Sequence, residues 1–482
     1  MPGHLALILH AHLPFVRHPE HERFLEESWL FEAITETYIP LLQLLEGWQR
    51  DEMRVRLTLT LSPTLCSMLL DPLLKDRYQR HLDGLIELAE KETLRTQWEA
   101  AYRPLAEMYY RRFLSTRETY FACHRNLVAA FRRFQELGLL EIITTAATHA
   151  LLPLMASHPP SLRGQILTAC DHYRSCFGRS PRGIWLPECA YASGIEQTLQ
   201  EANLRWFLLD THGLLHASPR PRYGVFAPVF TPNGLAAFGR DLESAKQVWS
   251  RHEGYPGDPR YRDFYRDVGF DLDFDYVRPY LPSPVHRGFT GIKYHRITGR
   301  EGAKEVYDRR VALEAAADHA QHFLHARVEQ IEHLAKAMDR PPLLVSPYDA
   351  ELFGHWWYEG PEFLDYFVRK TYFDQHSFTL VTPEEYLHSH PTLQVCNPSE
   401  SSWGEEGYWR AWLNETNEWI FPHLQVAQER RAELATRFPA AEGLRLRALQ
   451  QAARELLLAQ ASDWPFILRT GTSPDYATRR VK

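Results

Sequence analysis

Short unbroken apolar runs punctuate this chain, separated by longer stretches in which apolar residues recur every three or four positions. The runs are LALILH (5–10), VRLTLTLS (55–62), LEIITTAA (140–147), GIWLP (183–187), WFLLD (206–210) and PLLVSP (342–347). Each has the length and composition of a strand buried on both faces. Amphipathic helical stretches lie between most of them, which predicts an α/β fold built on parallel strands. No GxGxxG turn or P-loop marks a nucleotide crevice, so this many βα units predict a closed barrel rather than an open sheet. Two regions break the alternation. Residues 72–137 carry helical patterns without a strand and read as a helical insertion. After FTLVTPEEYL (378–387) the chain is rich in helical patterns to its end. The expected organisation is a catalytic barrel over 1–390 and a helical C-terminal domain over 391–482 that contributes to the substrate cleft. The stretch 252–300, rich in Tyr, Asp, Gly, Pro and Arg, reads as long loops, which in compact enzymes commonly serve function.

Composition narrows the class. A chain of 482 residues is long enough for a barrel with additions. Its 13 Trp, 23 Tyr and 25 Phe exceed ordinary usage and suit the stacking of flat, weakly polar ligands as well as a core. A net charge of −7 without any basic run argues against nucleic acid or an anionic membrane as partner. Six cysteines (Cys66, Cys123, Cys170, Cys176, Cys189, Cys396) form no CxxC pair, which points to a reducing compartment and away from a zinc site. The opening MPGHLALILHAHLPF lacks a basic n-region and a cleavage site, and no apolar run is long enough to span a bilayer. A cytoplasmic protein is expected.

In parallel α/β folds the chemistry gathers at the C-terminal ends of strands. The polar residues ending these runs are His10 and His12, His149, Glu188, Asp210 and His212, and Asp349. Two carboxylates, Glu188 and Asp349, among histidines and rings such as Trp357 fit glycoside cleavage. One attacks or stabilises the anomeric carbon while the other protonates the leaving oxygen. Each residue also has an ordinary structural reading. Asp349 can cap the helix that follows it, and Glu188 can be a solvated loop residue. His10 and His12 can be satisfied core histidines, and the Trp-rich stretches can be core. A metal reading, with His10, His12, His149 and Asp349 around zinc or iron, lacks an HExxH or a ligand-bearing CxxC. A serine nucleophile lacks its GxSxG. Neither metal nor cofactor is expected.

Five motifs resemble glycoside hydrolase family 57: HAHLPF (10–15), GIWLPECAY (183–191), SPYDAELFGHWW (346–357), SSWGEEGYWRAWLNE (401–415) and ASDWPF (461–466). They fall in the family's order along nearly the whole chain and are most similar to the subgroup of 1,4-α-glucan branching enzymes and α-amylase-like proteins. The resemblance implies a (β/α)7 barrel with a helical insertion and a helical C-terminal domain. It also implies retaining chemistry on α-1,4-glucans, with the two carboxyl groups about 5–6 Å apart. By motif, Glu188 falls on the family nucleophile and Asp349 on its acid/base. Arg240, Gly257, Trp403 and Asp463 match glucan-binding positions, and Trp412 matches a further cleft aromatic. His10, His12, His149, His212 and Trp357 join them as candidate sugar contacts. The expected partner is an α-glucan.

Two departures bear on the reaction. Branching enzymes of the family carry a long loop with a tyrosine at its tip before the FGRD segment. Here the stretch 211–241 is short, and its one tyrosine, Tyr223, aligns with a strand-like segment. Thr472 stands where those enzymes place a glutamine. Shielding a covalent intermediate from water is what favours transfer, so these changes rank α-1,4 hydrolysis above α-1,6 branch formation. A reading of another class, a glucan-binding protein with a degenerate site, meets the fact that both carboxylates are kept.

Overall fold

The structure, a computed structural model, describes residues 3–250, 253–299 and 303–482. Nine strands lie among the described residues: β1 (Gly3–Ala11), β2 (Leu57–Leu61), β3 (Leu140–Ile143), β4 (Gly183–Ile184), β5 (Trp206–Leu209), β6 (Val229–Phe230), β7 (Ala236–Gly239), β8 (Leu343–Asp349) and β9 (Phe378–Leu380). The six apolar runs of the sequence fall on β1 to β5 and β8. The short β6 and β7 carry no comparable run. Two compact units emerge. One comprises Met1–Leu57, Cys66–Glu141 and Leu242–Val381, and the other Thr58–Leu65, Ile142–Asp241 and Thr382–Lys482.

In the first unit β1 runs parallel to β8 and to β9, with His10 opposite Asp349 in the register and Gly3 opposite Phe378. Leu5, Ala6, Ile8 and Leu9 of β1 are buried without residue, as a strand covered on both faces requires. Helices enclose it. Asp308 caps Arg309–Ala335 by accepting from the Arg310 and Val311 amides, and the helix buries Ala312, Ala315, Ala316 and Ala320. The region read as an insertion forms the helices Pro72–Arg95, Arg103–Ala122 and Leu127–Glu136. Asp71 and Asn126 cap the first and third, the ordinary service of short polar side chains at helix starts.

The stretch read as long loops holds four single turns, Tyr255–Gly257, Val268–Asp271, Phe274–Val277 and Arg278–Tyr280, while its limits at 252 and 300 lie outside the described residues. Its organiser is the buried Asp267 carboxylate, which accepts from the amides of Gly269, Thr290 and Gly291 and from the Thr290 hydroxyl. These bonds, with the backbone pairs Asp263–His295, Val268–Ile292 and Ile297–Tyr261, hold the segment's two arms together.

In the second unit β4, β5 and β7 are parallel and β6 closes the edge antiparallel to β7. Thr144 bridges Ile184 in parallel beyond them. The last segment supplies the helices Pro383–Ser389, Ile420–Arg437, Gly443–Ala459, Asp463–Thr470 and Pro474–Val481. Thr382 and Glu385 form a capping box at the first. Among the described residues no helix is long and apolar enough to cross a membrane.

A π-helical turn, Ile34–Tyr38, interrupts the helical run from Ser28 to Arg50 in the first unit. Gly354 packs against it at φ +120°, where an added Cβ would meet the Glu36 carbonyl oxygen at 1.8 Å. Backbone would have to yield. Gly354→Ala is therefore expected to cost more than about 2 kcal/mol. Gly234→Ala, at φ +82° with open space around it, should cost about 1 kcal/mol. Urea unfolding midpoints of the two variants check the order.

Candidate functional site

The site in the second unit is built around Glu188. β4 ends at Ile184, and the chain turns through Pro187–Cys189 with Glu188 at φ 61°, ψ 23° and Cys189 at φ 49°. Left-handed backbone at two successive non-glycine residues stores strain, and packing must hold it in place. That hold is visible. The Glu188 carbonyl accepts from the Trp403 amide at 3.1 Å. Its side chain is tied at both oxygens: Trp403 Nε1 donates to Oε2 at 2.8 Å, and Ser462 Oγ donates to Oε1 at 3.0 Å.

His149 stands behind the serine, its Nδ1 2.9 Å from Ser462 Oγ and 3.7 Å from Glu188 Oε1. With the serine proton given to Glu188, the hydroxyl accepts from His149, which places the imidazole proton on Nδ1. His149 is itself left-handed at φ 59°, and its carbonyl accepts from the Ser462 amide at 3.0 Å. Three residues with positive φ thus meet around one carboxylate.

Arg240 closes the other side. It leaves β7 and grips Asp210 with two bonds, Nε to Oδ1 at 2.9 Å and Nη2 to Oδ2 at 3.3 Å. Asp210 also accepts from the Thr211 amide at 2.7 Å, capping the turn Thr211–Leu215. The Arg240 guanidinium lies 5.9 Å from the Trp403 ring centroid. His212 Nε2 donates to the Gly407 carbonyl at 2.9 Å, with Nδ1 3.6 Å from Asp210. Trp412 is 2% exposed and packs with Leu151, Ala190 and Ala411, against which Trp403 leans. It is a core ring in this structure. Asp463, next to Ser462, is half-buried at the start of Asp463–Thr470.

In the first unit Asp349 ends β8 beside His10 and His12, whose rings stack 5.8 Å apart. Asp349 occupies the cap position of Ala350–Leu352, yet its side chain makes no capping bond. The capping explanation for this acid therefore falls away. His10 is buried, and desolvation, with His12 adding, keeps its pKa well below the usual histidine range. Glu351 is close by, its Oε1 accepting from the His12 amide at 3.3 Å and from the Tyr38 hydroxyl. Burial, reinforced by Asp349, pushes the Glu351 carboxyl up to about 7. Trp357 is 1% exposed and packs on Tyr261, Phe363 and Phe353. Gly257 closes a turn whose Tyr255 stacks on His319 at 4.6 Å, and His319 in turn meets Tyr261. Trp357 and the Gly257 turn therefore share an aromatic core.

The structure thus gathers Glu188, His149, Trp403, Arg240 and His212 in one unit, and Asp349, His10 and His12 in the other. Ser462 and Glu351 were not singled out in the sequence. Each is one or two residues from a candidate acid, and nothing in spacing tells which neighbour's side chain turns inward.

The chain belongs to glycosyl hydrolase family 57, whose model matches residues 6–397. A second model, 1,4-alpha-glucan branching enzyme C-terminal, matches residues 423–482. The crystal structure of the α-amylase AmyC from Thermotoga maritima is similar with a TM-score of 0.93 and 44% identity, covering 100% of this chain and 91% of that one. That of the family 57 branching enzyme from Thermococcus kodakaraensis is similar with a TM-score of 0.89 and 31% identity, covering 100% and 88%. A probable 1,4-alpha-glucan branching enzyme of Mycobacterium tuberculosis is 29% identical over 100% of this chain and 90% of its own length. The fold class is the expected one, the family's (β/α)7 type with a helical insertion and a helical C-terminal region, and the protein is an enzyme of this family.

The Glu351 pKa makes stability depend on pH. Its folded value, about 7, lies above the ordinary glutamate value of 4.5, so the folded state binds its proton more tightly. Stability then falls as pH rises from about 4.5 to about 7, by about 3 kcal/mol in total from this group. Glu351→Gln is expected to flatten that slope in urea titrations across the interval. Part of the slope will persist, because burial raises Glu32 to about 7 as well.

Proposed function

We propose that this protein is a retaining α-glucan enzyme that cleaves α-1,4 bonds through Glu188 and transfers the released chain to form α-1,6 branches. The observation that carries the reading is the Ser462 bond to Glu188. A residue inside the stretch matched by the branching-enzyme C-terminal model directly holds the carboxylate proposed as nucleophile. The branching enzymes aligned along this whole chain support the same choice. They support ranking transfer ahead of hydrolysis, the reverse of the order expected from the short 211–241 stretch.

In the proposed cycle Glu188 attacks the anomeric carbon as the bond to the leaving O4 breaks, and Asp349 gives that oxygen its proton. The Trp403 and Ser462 donors fix the direction of the carboxylate and stabilise it when it leaves again. Asp349 then takes the proton from an acceptor 6-hydroxyl, whose oxygen displaces Glu188 at the same carbon. Arg240, Trp403, Asp463, His149, His212, His10 and His12 serve as substrate contacts or orient the carboxylates. Trp412, Trp357 and the Gly257 turn support them from the core.

A second reading, α-1,4 hydrolysis, is favoured by the absence of a long loop at 211–241 and by the 44% identity to an amylase. Water then reaches the intermediate first. Proton NMR of amylose after exhaustive incubation, beside a reducing-end assay, separates the two. A gain in α-1,6 anomeric signal with few new reducing ends is expected, whereas reducing ends without new α-1,6 signal would overturn branching in favour of hydrolysis.

Either reading needs both acids. Glu188→Gln and Asp349→Asn are each expected to lower the rate on amylose at least a hundredfold. A variant retaining a tenth of the activity would refute the role of that residue.

A further inference from the structure

The two adjacent indoles of GHWW have opposite fates. Trp357 is core, but Trp356 is 56% exposed. One face of Trp356 is nevertheless covered, because Phe264 stacks on it with centroids 4.6 Å apart and planes 24° from parallel. An indole with one face occupied and this much surface in water shows its other face outward.

The stack is held from behind. The buried Lys293 ammonium donates to the Phe264 carbonyl at 2.6 Å and lies 4.3 Å and 4.5 Å from the Phe264 and Phe289 ring centroids. His355 sits edge-on to Trp356 at 5.1 Å, and its Nδ1 is 2.6 Å from Glu36 Oε2. The Trp356 amide donates to the Glu351 carbonyl at 3.1 Å. With its back face filled and its backbone tied, the ring has little freedom left to lose when something binds it.

We propose that Trp356, backed by Phe264, is a stacking subsite for a glucosyl unit of an α-glucan, at a point on the chain away from the bond being cleaved. The proposal rests on the α-glucan reading above. The apolar C–H face of a sugar ring matches a flat exposed indole. The next exposed rings, Tyr265 and Phe270, flank the Arg266–Asp271 ion pair (2.8 Å), so charged planar groups stand beside the rings where hydroxyls need partners. Trp356 follows Asp349 by seven residues, which places it no more than about 25 Å from the end of β8. That is within reach of a polymer bound at the acid. An exposed platform within that reach would set chain-length preference.

Calorimetric titration with maltoheptaose and with maltose tests the subsite, all proteins carrying Glu188→Gln so that the ligand survives. Trp356→Ala is expected to weaken maltoheptaose about three- to tenfold, to leave maltose unchanged, and to be largely rescued in Trp356→Phe. Unfolding temperatures of the three proteins should agree, since the removed ring is on the surface. Equal affinity of Trp356→Ala and its parent for maltoheptaose would overturn the subsite and leave the α-glucan reading standing. A parent that binds no maltoheptaose would overturn that reading and the subsite with it. A parent that dimerises in sedimentation while Trp356→Ala does not, at equal sugar affinity, would reassign the platform to self-association.

Discussion

The hydrogen bonds that Trp403 and Ser462 donate to the two oxygens of Glu188 are the constraint on which the second unit depends. Glu188 reaches its position through a backbone conformation that a non-glycine residue adopts only under compulsion. The compulsion comes from the last segment of the chain. Trp403 clamps the Glu188 peptide as well as its carboxylate, and Ser462 is pinned in turn by His149 through both backbone and side chain. A charged acceptor with two good donors is worth more than two neutral hydrogen bonds. That surplus lets the strained elbow persist.

The first unit solves a different electrostatic problem. It buries several ionisable groups, and it does so by pairing them. Burial works against ionisation of Glu36, yet the His355 hydrogen bond and the nearby Arg262 and Lys293 charges outweigh it and hold the carboxyl down to about 2. Glu32, with weaker support, is pushed up to about 7 instead. The same unit keeps Glu351 high beside Asp349. An acid on a strand end that is left out of helix capping, beside a carboxyl that resists ionisation, is poised by its surroundings rather than by its own sequence position.

Aromatic residues divide between these tasks. Trp412 and Trp357 are packing elements, while Trp403 gives its N–H to a carboxylate and Trp356 shows a face to water. Four indoles within family motifs thus do three kinds of work. Composition alone predicted an excess of rings suited to stacking. It carried no information on which of them would be free to stack.

The sequence by itself determined the strands that are buried on both faces, because short continuous apolar runs between helical stretches suit a covered strand, and it determined the helices of the insertion, because 72–137 carries helical spacing without a strand-like run. Its motifs also singled out Glu188, Asp349, Arg240 and Trp403 as candidates. It missed β6 and β7, which carry no run of large apolar residues, and the turns of 255–280, whose segment is tied by the Asp267 carboxylate and by backbone pairs across its two arms. Only the tertiary structure decided that Ser462 bonds to Glu188, that Glu351 accompanies Asp349, and that Trp357 is core while Trp356 is exposed. Spacing along the chain fixes which residues are neighbours. The direction of each side chain depends on contacts hundreds of residues apart, such as Glu188 with Ser462, and these exist only once the chain has folded.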